Sequence, residues 1–513
     1  MRSARLPRGW RSLVVVLVAV VMAASVGVAP VGASGPALVS IGEVSAPEGD
    51  ALSPLAQSVK VPITLSAPQS SDTLVTWIVS GGTATAGSDY KAVSSPRTTK
   101  IKAGKTRGFA TVTLYGDTDV EGDETVELTI TAVSGSPAVV GDPTGSVTIV
   151  DDDGTVTGGN LWAWGKNGFG QLGLGDNLDR DTPTQVGTDT DWVSVSAGNY
   201  HTVALKSDGT LWAWGLNVDG QLGLGDNSNR DTPTQVGTDT DWQSVSAGNY
   251  HTVALKSDGT LWAWGYNSLG QLGLGDTFNR NAPTQVGSDV DWVSVSAGGY
   301  HTVAVKLDGT LWAWGYNGEG GLGLGDTSNR DTPTQVGTDT DWQLVSAGNY
   351  HTEAVKSDGT LWAWGWNGFG QLGLGDTVDR LTPMQVGTDT DWASVSAGGY
   401  HTVAVKSDGT LWAWGRNLGG QLGLGDYLDR DVPTQVGSDT NWASVSAGVV
   451  HSLAVRTEGT LWAWGSNAEG ELGLGDNLNR DTPTQVGTDT DWASVSAGFL
   501  YTVAVKTTGG GGS

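Results

Sequence analysis

A chain of 513 residues is longer than one hydrophobic core can organise. Its formal charge of −27, from 54 acidic against 27 basic residues, repels phosphate backbones; nucleic acid is excluded as the expected partner, while metal cations and basic protein patches are favoured. Cysteine is absent, so stability has to come from strand pairing and burial, with 24 tryptophans each able to cover about 150 to 250 Å².

Composition changes near residues 34 and 154, which predicts two ordered domains behind a leader. Arg2, Arg5, Arg8 and Arg11 precede the apolar stretch from Leu13 to Ala29. Val31-Gly32-Ala33 then offers the small residues of a cleavage site, so residues 1–33 read as a signal peptide. The competing reading is a membrane anchor, for which the stretch sits at the lower limit of length. Export with cleavage predicts a secreted or cell-surface protein with no membrane span afterwards.

Residues 38–153 carry Val, Thr and Ile in short runs broken by Gly, Pro and Ser, the pattern of an antiparallel sandwich. Their acids gather in Glu48-Gly-Asp50, Asp89-Tyr90, Asp117 to Glu124 and Asp151-Asp152-Asp153. Val120-Glu-Gly-Asp-Glu-Thr125 and the closing Val147-Thr-Ile-Val-Asp-Asp-Asp153 resemble the Calx-beta domain family. The resemblance implies an immunoglobulin-like sandwich with a calcium site at one end. Glu48, Asp89, Asp117, Asp119, Glu121, Glu124, Asp151, Asp152 and Asp153 are then its candidate ligands, and calcium the expected cofactor. Physics supports a cation, because two carboxylates about 4 Å apart repel by roughly 4 kcal/mol at an effective dielectric of 20. Calcium takes six to eight oxygen ligands in flexible geometry. Solvated loop acids with no metal are the alternative. Val126 and Ser94-Ser95-Pro96-Arg97 depart from the family pattern without removing an oxygen ligand.

After a linker at 154–159, residues 160–506 hold seven copies of one 50-residue unit, each opening on Leu-Trp-Ala-Trp-Gly at Leu161, Leu211, Leu261, Leu311, Leu361, Leu411 and Leu461. His201 to Lys206 and Leu211 to Gly215 flank Asp208-Gly209, a hairpin signal. Both faces of the second run are apolar, which suggests an inner strand packed between adjacent blades. Further runs around Thr184 to Val186 and Trp192 to Val195 bring the count to about four strands per copy, hence a propeller. The chain opens its repeats with an orphan Leu161 strand and ends them with an orphan Tyr501 strand; pairing the two closes the ring and removes both edges. The recurring Ala-Gly-x-x-His-Thr and Trp-Gly-x-Asn-x-x-Gly-Gln-Leu-Gly-x-Gly-Asp motifs are similar to the regulator of chromosome condensation repeat family. That resemblance implies a seven-bladed β-propeller, so the expected fold class is all-β: a propeller preceded by an immunoglobulin-like Calx-beta sandwich. Residues 507–513 read as a flexible Gly-rich tail.

All six histidines occupy one repeat position, from His201 to His451, with Tyr501 taking it in the last copy. A catalytic residue is needed once and a framework residue in every blade, so no enzyme is expected and the histidines read as hydrogen-bonding framework. Asp176, Arg180 and their repeats depart from calcium-loop spacing and read as loop holders. The copies differ mainly at one end of the hairpin. That end carries Tyr250, Tyr266, Tyr300, Tyr316, Tyr350, Trp366, Tyr400 and Arg416, residue types that dominate interface energetics. They are the candidate partner-binding set, against the alternative that the rings plug the propeller mouth. The resulting expectation is an exported, non-enzymatic binding or adhesion protein that docks a protein or glycan partner outside the cytoplasm. Two functions of the repeat family stand as alternatives: guanine-nucleotide exchange on a small nuclear GTPase, and inhibition of an enzyme such as a β-lactamase by docking on one face.

Overall fold

The computed structural model describes residues 36–47, 57–84, 96–114, 124–150 and 158–507. The chain divides into two compact units, Met1–Thr155 and Val156–Ser513. The expected signal peptide at 1–33 and the end of the tail lie outside the described residues. Among the described residues no helix is long and apolar enough to cross a membrane.

Alternation of apolar and polar residues builds the first unit. Its strands are β1 (Leu38–Ile41), β2 (Val44–Pro47), β3 (Gln57–Leu65), β4 (Thr73–Gly82), β5 (Arg97–Ile101), β6 (Arg107–Leu114), β7 (Glu124–Ser134), β8 (Val139–Asp142) and β9 (Thr144–Val150). They form a four-stranded sheet in the order β6-β3-β1-β8 and a five-stranded sheet in the order β2-β9-β7-β4-β5. Every second residue points inward, so Ala110, Val112 and Leu114 of β6 join Val75 and Trp77 of β4 in a single core. Trp77 also donates its indole N–H to Thr99 Oγ1 at 3.0 Å. Two sheets around one core are what the sequence pattern dictates; that arrangement does not by itself single out the Calx-beta family.

The second unit opens with β10 (Gly159–Gly165) and β11 (Arg180–Gln185). Blade 1 follows as β12 (Trp192–Ala197), β13 (His201–Lys206), β14 (Leu211–Gly215) and β15 (Arg230–Gln235), each antiparallel to the next. The same four strands recur as blades 2 to 6, the last ending at Gln485. Trp492–Ala497 and Tyr501–Thr507 then pair with β10 and β11 as blade 7, in a register running from Gly159 opposite Thr507 to Gly165 opposite Tyr501. Seven blades closed by strands from both ends of the repeat region match the expectation from the orphan strands.

Each blade is apolar on both faces because it has neighbours on both. Leu211 and Ala213 pack with Trp242 and Trp264 of blade 2, while Trp214 packs with Leu161 and Val503 of blade 7. The Asp208-Gly209 turn joins β13 to β14, with Gly209 at φ +75° and Asp208 Oδ1 accepting the Thr210 N–H at 3.0 Å. One expectation needs correcting. The Leu-Trp-Ala-Trp-Gly strand lies third from the axis, and the innermost strand is the Trp192–Ala197 type. Only small residues fit where seven strands converge: a Cβ at Gly198 would lie 2.4 Å from the Gly248 carbonyl oxygen of the next blade.

Candidate docking face

Two belts of hydrogen bonds run from blade to blade and fix the mouth of the ring. In the inner belt Ser196 Oγ accepts the Ala247 N–H at 3.0 Å, and the equivalent bond repeats around to Ser496 and Ala197 at 2.9 Å. In the outer belt His201 Nε2 meets Thr252 Oγ1 at 3.0 Å, and the contact recurs to His451 and Thr502. The Thr252 hydroxyl donates to the Gln221 carbonyl at 2.8 Å, so its oxygen is left to accept and the imidazole donates from Nε2. Complete burial pushes the pKa of His201, His251, His351, His401 and His451 down to about 3 and that of His301 to about 4, which keeps all six rings neutral. Tyr501 closes the belt by donating to the His201 carbonyl at 2.6 Å. These are framework groups with no free reactive atom facing solvent.

The charged repeats are likewise committed. Asp176 Oδ2 accepts from Arg180 at 2.7 Å, and Asp176 Oδ1 accepts the Leu178 N–H, which holds the loop before β11. Lys206 Nζ lies 4.8 and 4.7 Å from the Trp192 and Trp212 ring centroids and bonds Asp189 at 2.6 Å and Asp191 at 3.2 Å. Burial works against its charge, but the two carboxylates outweigh it and raise the Lys206 pKa.

The variable end of the hairpins is different. A hydrogen bond from the Leu216 N–H to the Tyr200 carbonyl, repeated in each blade, places residues 200 and 216 side by side at one mouth of the propeller. There the rings form a continuous arc. Phe499 meets Tyr200 at 5.6 Å, Tyr200 meets Tyr250 at 6.2 Å, Tyr250 meets Tyr300 at 6.5 Å, and Tyr300 stacks on Tyr350 at 5.7 Å. Trp366 bridges Tyr350 at 6.3 Å and Tyr400 at 5.6 Å, and Arg416 ends the arc over Phe369 at 4.9 Å and Tyr400 at 5.4 Å. Tyr266 and Tyr316 lie edge-on to Tyr250 and Tyr300 at 6.4 and 6.5 Å. All eight predicted docking residues therefore share one surface. Each is half-buried, held by its neighbours while part of it still faces solvent. Burial pushes the Tyr350 hydroxyl up to about 12, with neighbouring tyrosines adding to the shift. Blade 6 interrupts the arc with Val449, Val450 and Ser466.

Sequence reasoning missed Phe169, which meets Tyr200 at 5.3 Å, and Phe369, which meets Trp366 at 5.3 Å. The signal was present, since their repeat position varies among Phe, Asp, Leu, Glu and Gly. Of the candidate calcium ligands, Glu48, Asp89, Asp117, Asp119, Glu121, Asp151, Asp152 and Asp153 lie outside the described residues; Glu124 begins β7. Among the described residues no group of three or more His, Cys, Asp or Glu is placed to hold a metal.

Comparison with known proteins places the propeller. The RCC1-like domain matches residues 155–348, and regulator of chromosome condensation (RCC1) repeats match 358–405, 408–455 and 458–505. Prp20p of Saccharomyces cerevisiae, described together with its binding properties to Gsp1p and histones, superposes with a TM-score of 0.63 at 24% identity, covering 69% of this chain and 92% of that one. Yeast RCC1 (Prp20), in complex with Kap60, gives 0.63 at 23% identity, covering 68% and 90%. Human WBSCR16 gives 0.61 at 23%, covering 68% and 98%. The ultraviolet-B receptor UVR8 of Arabidopsis thaliana is 49% identical over 49 residues, which is 9% of this chain and 11% of the receptor.

These findings correct three linked expectations: an exported adhesion protein, a protein or glycan partner outside the cytoplasm, and a secreted or cell-surface location. The two yeast neighbours are described with the proteins Gsp1p, histones and Kap60, and the Arabidopsis relative is an ultraviolet-B receptor, none of them an exported adhesion protein with a glycan partner. The reason lies in the evidence behind those expectations. Acidic charge and a varied aromatic face suit any protein-docking surface, and the leader lies outside the described residues.

Proposed function

We propose, from the premise that residues 155–505 are an RCC1-like propeller, that this protein is a non-catalytic regulator that docks an intracellular protein on the aromatic mouth, in the manner of an exchange factor. The observation that carries this reading is the continuous arc from Phe499 to Arg416, set on a framework that is otherwise nearly identical from blade to blade. An exchange factor needs no bond-making group; it binds the nucleotide-free state of its partner better than the loaded state and so speeds release. Tyr250, Tyr266, Tyr300, Tyr316, Tyr350, Trp366, Tyr400 and Arg416 supply a rigid face for that contact at low entropic cost. The decisive assay follows release of fluorescent GDP from Gsp1p. Acceleration by the intact protein that disappears in a Tyr316→Ala/Trp366→Ala variant of unchanged melting supports the reading. Absence of both acceleration and binding counts against it.

On the same footing, the N-terminal unit is a Calx-beta-type sandwich whose carboxylates take calcium. The nine candidate carboxylates of the sequence carry hard oxygens, the donor type that suits that ion. Melting of this unit with millimolar calcium, then with excess chelator, tests the assignment; identical transitions contradict it.

A further inference from the structure

One blade breaks the repeat at the mouth. Two residues after the position of Phe169, six copies carry Gln171, Gln221, Gln271, Gln371, Gln421 or Glu471, and blade 3 alone carries Gly321. In those six copies the side chain turns back to accept a backbone N–H, as Gln171 does from Phe169 at 2.9 Å and Glu471 from Glu469 at 2.8 Å. Gly321 has no side chain for this. A Cβ there would already lie tight against the Tyr350 carbonyl oxygen at 3.1 Å, so the space gained is that of the carboxamide which the counterparts carry and Gly321 lacks.

Beside that space stands Glu319. Its Oε1 accepts the Tyr316 hydroxyl at 3.2 Å, whereas its Oε2 is buried with no protein partner. The other two acids at this repeat position are both satisfied. Asp219 accepts from Asn279 at 3.0 Å, and Glu469 pairs with Lys166 at 3.3 Å. Tyr316, which holds Glu319, clusters with Tyr300 and Tyr350, the centroids 5.7 to 6.5 Å apart, two of the pairs edge-on and one stacked. The Tyr316 ring lies over Gly318, where a Cβ would come within 2.2 Å of its hydroxyl oxygen. Glycines at 318 and 321 thus seat one ring and open the space next to it.

A half-buried carboxylate with one oxygen lacking a donor, held by the Tyr316 hydroxyl next to a tyrosine cluster, is the chemistry that receives a cation. We propose that Glu319, with Tyr316, Tyr300 and Tyr350, receives a lysine or arginine side chain of the docked protein at the seam between blades 3 and 4. This assignment rests on the docking reading above and gives it an anchor point. The overall charge of −27 favours the approach of a basic partner, and the receptor gives that attraction a fixed address.

The test uses the full chain and two probes, octalysine and octaarginine, titrated calorimetrically at physiological salt with octaglutamine as the blank. Glu319→Gln and Gly321→Gln are each expected to weaken basic-peptide binding about five- to tenfold. Asp331→Asn, at an exposed acid on the outermost strand of blade 3, removes the same charge and is expected to change it less than twofold. Gly321→Gln restores the residue of five other copies, so misfolding does not confound it. The proposal is overturned if Glu319→Gln costs no more than Asp331→Asn, or if Gly321→Gln binds like the parent. Loss of the receptor leaves a Trp366→Ala defect in Gsp1p release intact. A silent Trp366→Ala beside a genuine Glu319 effect sinks the docking reading instead.

Discussion

The belts between blades and the arc at the mouth occupy neighbouring layers of the same hairpins and follow opposite rules. In the belts, His201 and Thr252 recur with almost no change, every hydroxyl has an acceptor, and the rings are fully buried. In the arc, position 216 and its repeats run through Lys, Leu, Tyr, Tyr, Trp, Arg and Ser, and all of these side chains except the buried Leu216 are half-buried. A repeat that preserves its seams while varying one end separates what holds the ring from what the ring presents.

The sharpest way to break that contrast is acid. Each histidine has a folded pKa near 3 or 4, against 6.5 in the unfolded chain. A depressed folded value contributes stability that is present above pH 6.5 and lost as the pH falls toward 3. Each histidine then costs about 1.4 kcal/mol per pH unit, and six act together. Chemical denaturation at pH 7, 6 and 5 should show the propeller losing on the order of 10 kcal/mol over this range. A flat profile would mean that the histidines are charged or exposed. A smaller effect, confined to one seam, is expected from Trp214→Ala. That indole is fully buried and donates to the Gln171 carbonyl at 2.9 Å, so its loss should cost about 3 to 5 kcal/mol by the same denaturation measurement.

Glu353 sharpens the comparison from the other side. It stands where other blades carry Val or Leu, is fully buried, and has one oxygen without a partner. Burial raises its pKa well above the ordinary carboxylate value, so the carboxyl costs nothing at low pH and increasingly destabilises the fold as the pH rises past about 4.5. Glu353→Val should stabilise the propeller by about 1 to 3 kcal/mol at pH 8 and by much less at pH 4. Equal melting of both proteins at pH 8 would show that the acid is already satisfied. Least affected of all should be Trp366→Ala, at the mouth, where melting is expected to shift by only a degree or two.

Much of this contrast was legible in the letters. The 50-residue period, the Asp-Gly turns and the two orphan strands specify seven closed blades, because each is a local signal that only a ring satisfies. Which strand reaches the axis was not legible. Leu211 to Gly215 is the more apolar run, but the axis selects small residues, and Ser196-Ala197-Gly198 are small rather than apolar. That the eight candidate docking residues share one mouth was readable because hairpin geometry sets positions 200 and 216 at one end. Phe369 was signalled only by the variation at its repeat position, and the unpaired oxygen of Glu319 by nothing, since it depends on how a loop folds back over the mouth. Export and adhesion were overread from charge and leader, features that do not report which protein meets the arc.

The account depends most on the claim that the varied arc, and not the repeated framework, meets the partner. Oxidative footprinting of the full chain, alone and saturated with Gsp1p, reads this directly. The account predicts slower modification of Tyr316, Tyr350 and Trp366 in the complex, with the half-exposed Trp212, Trp262 and Trp312 of the Lys cages unchanged. Protection of those outer tryptophans with an unprotected mouth would contradict it.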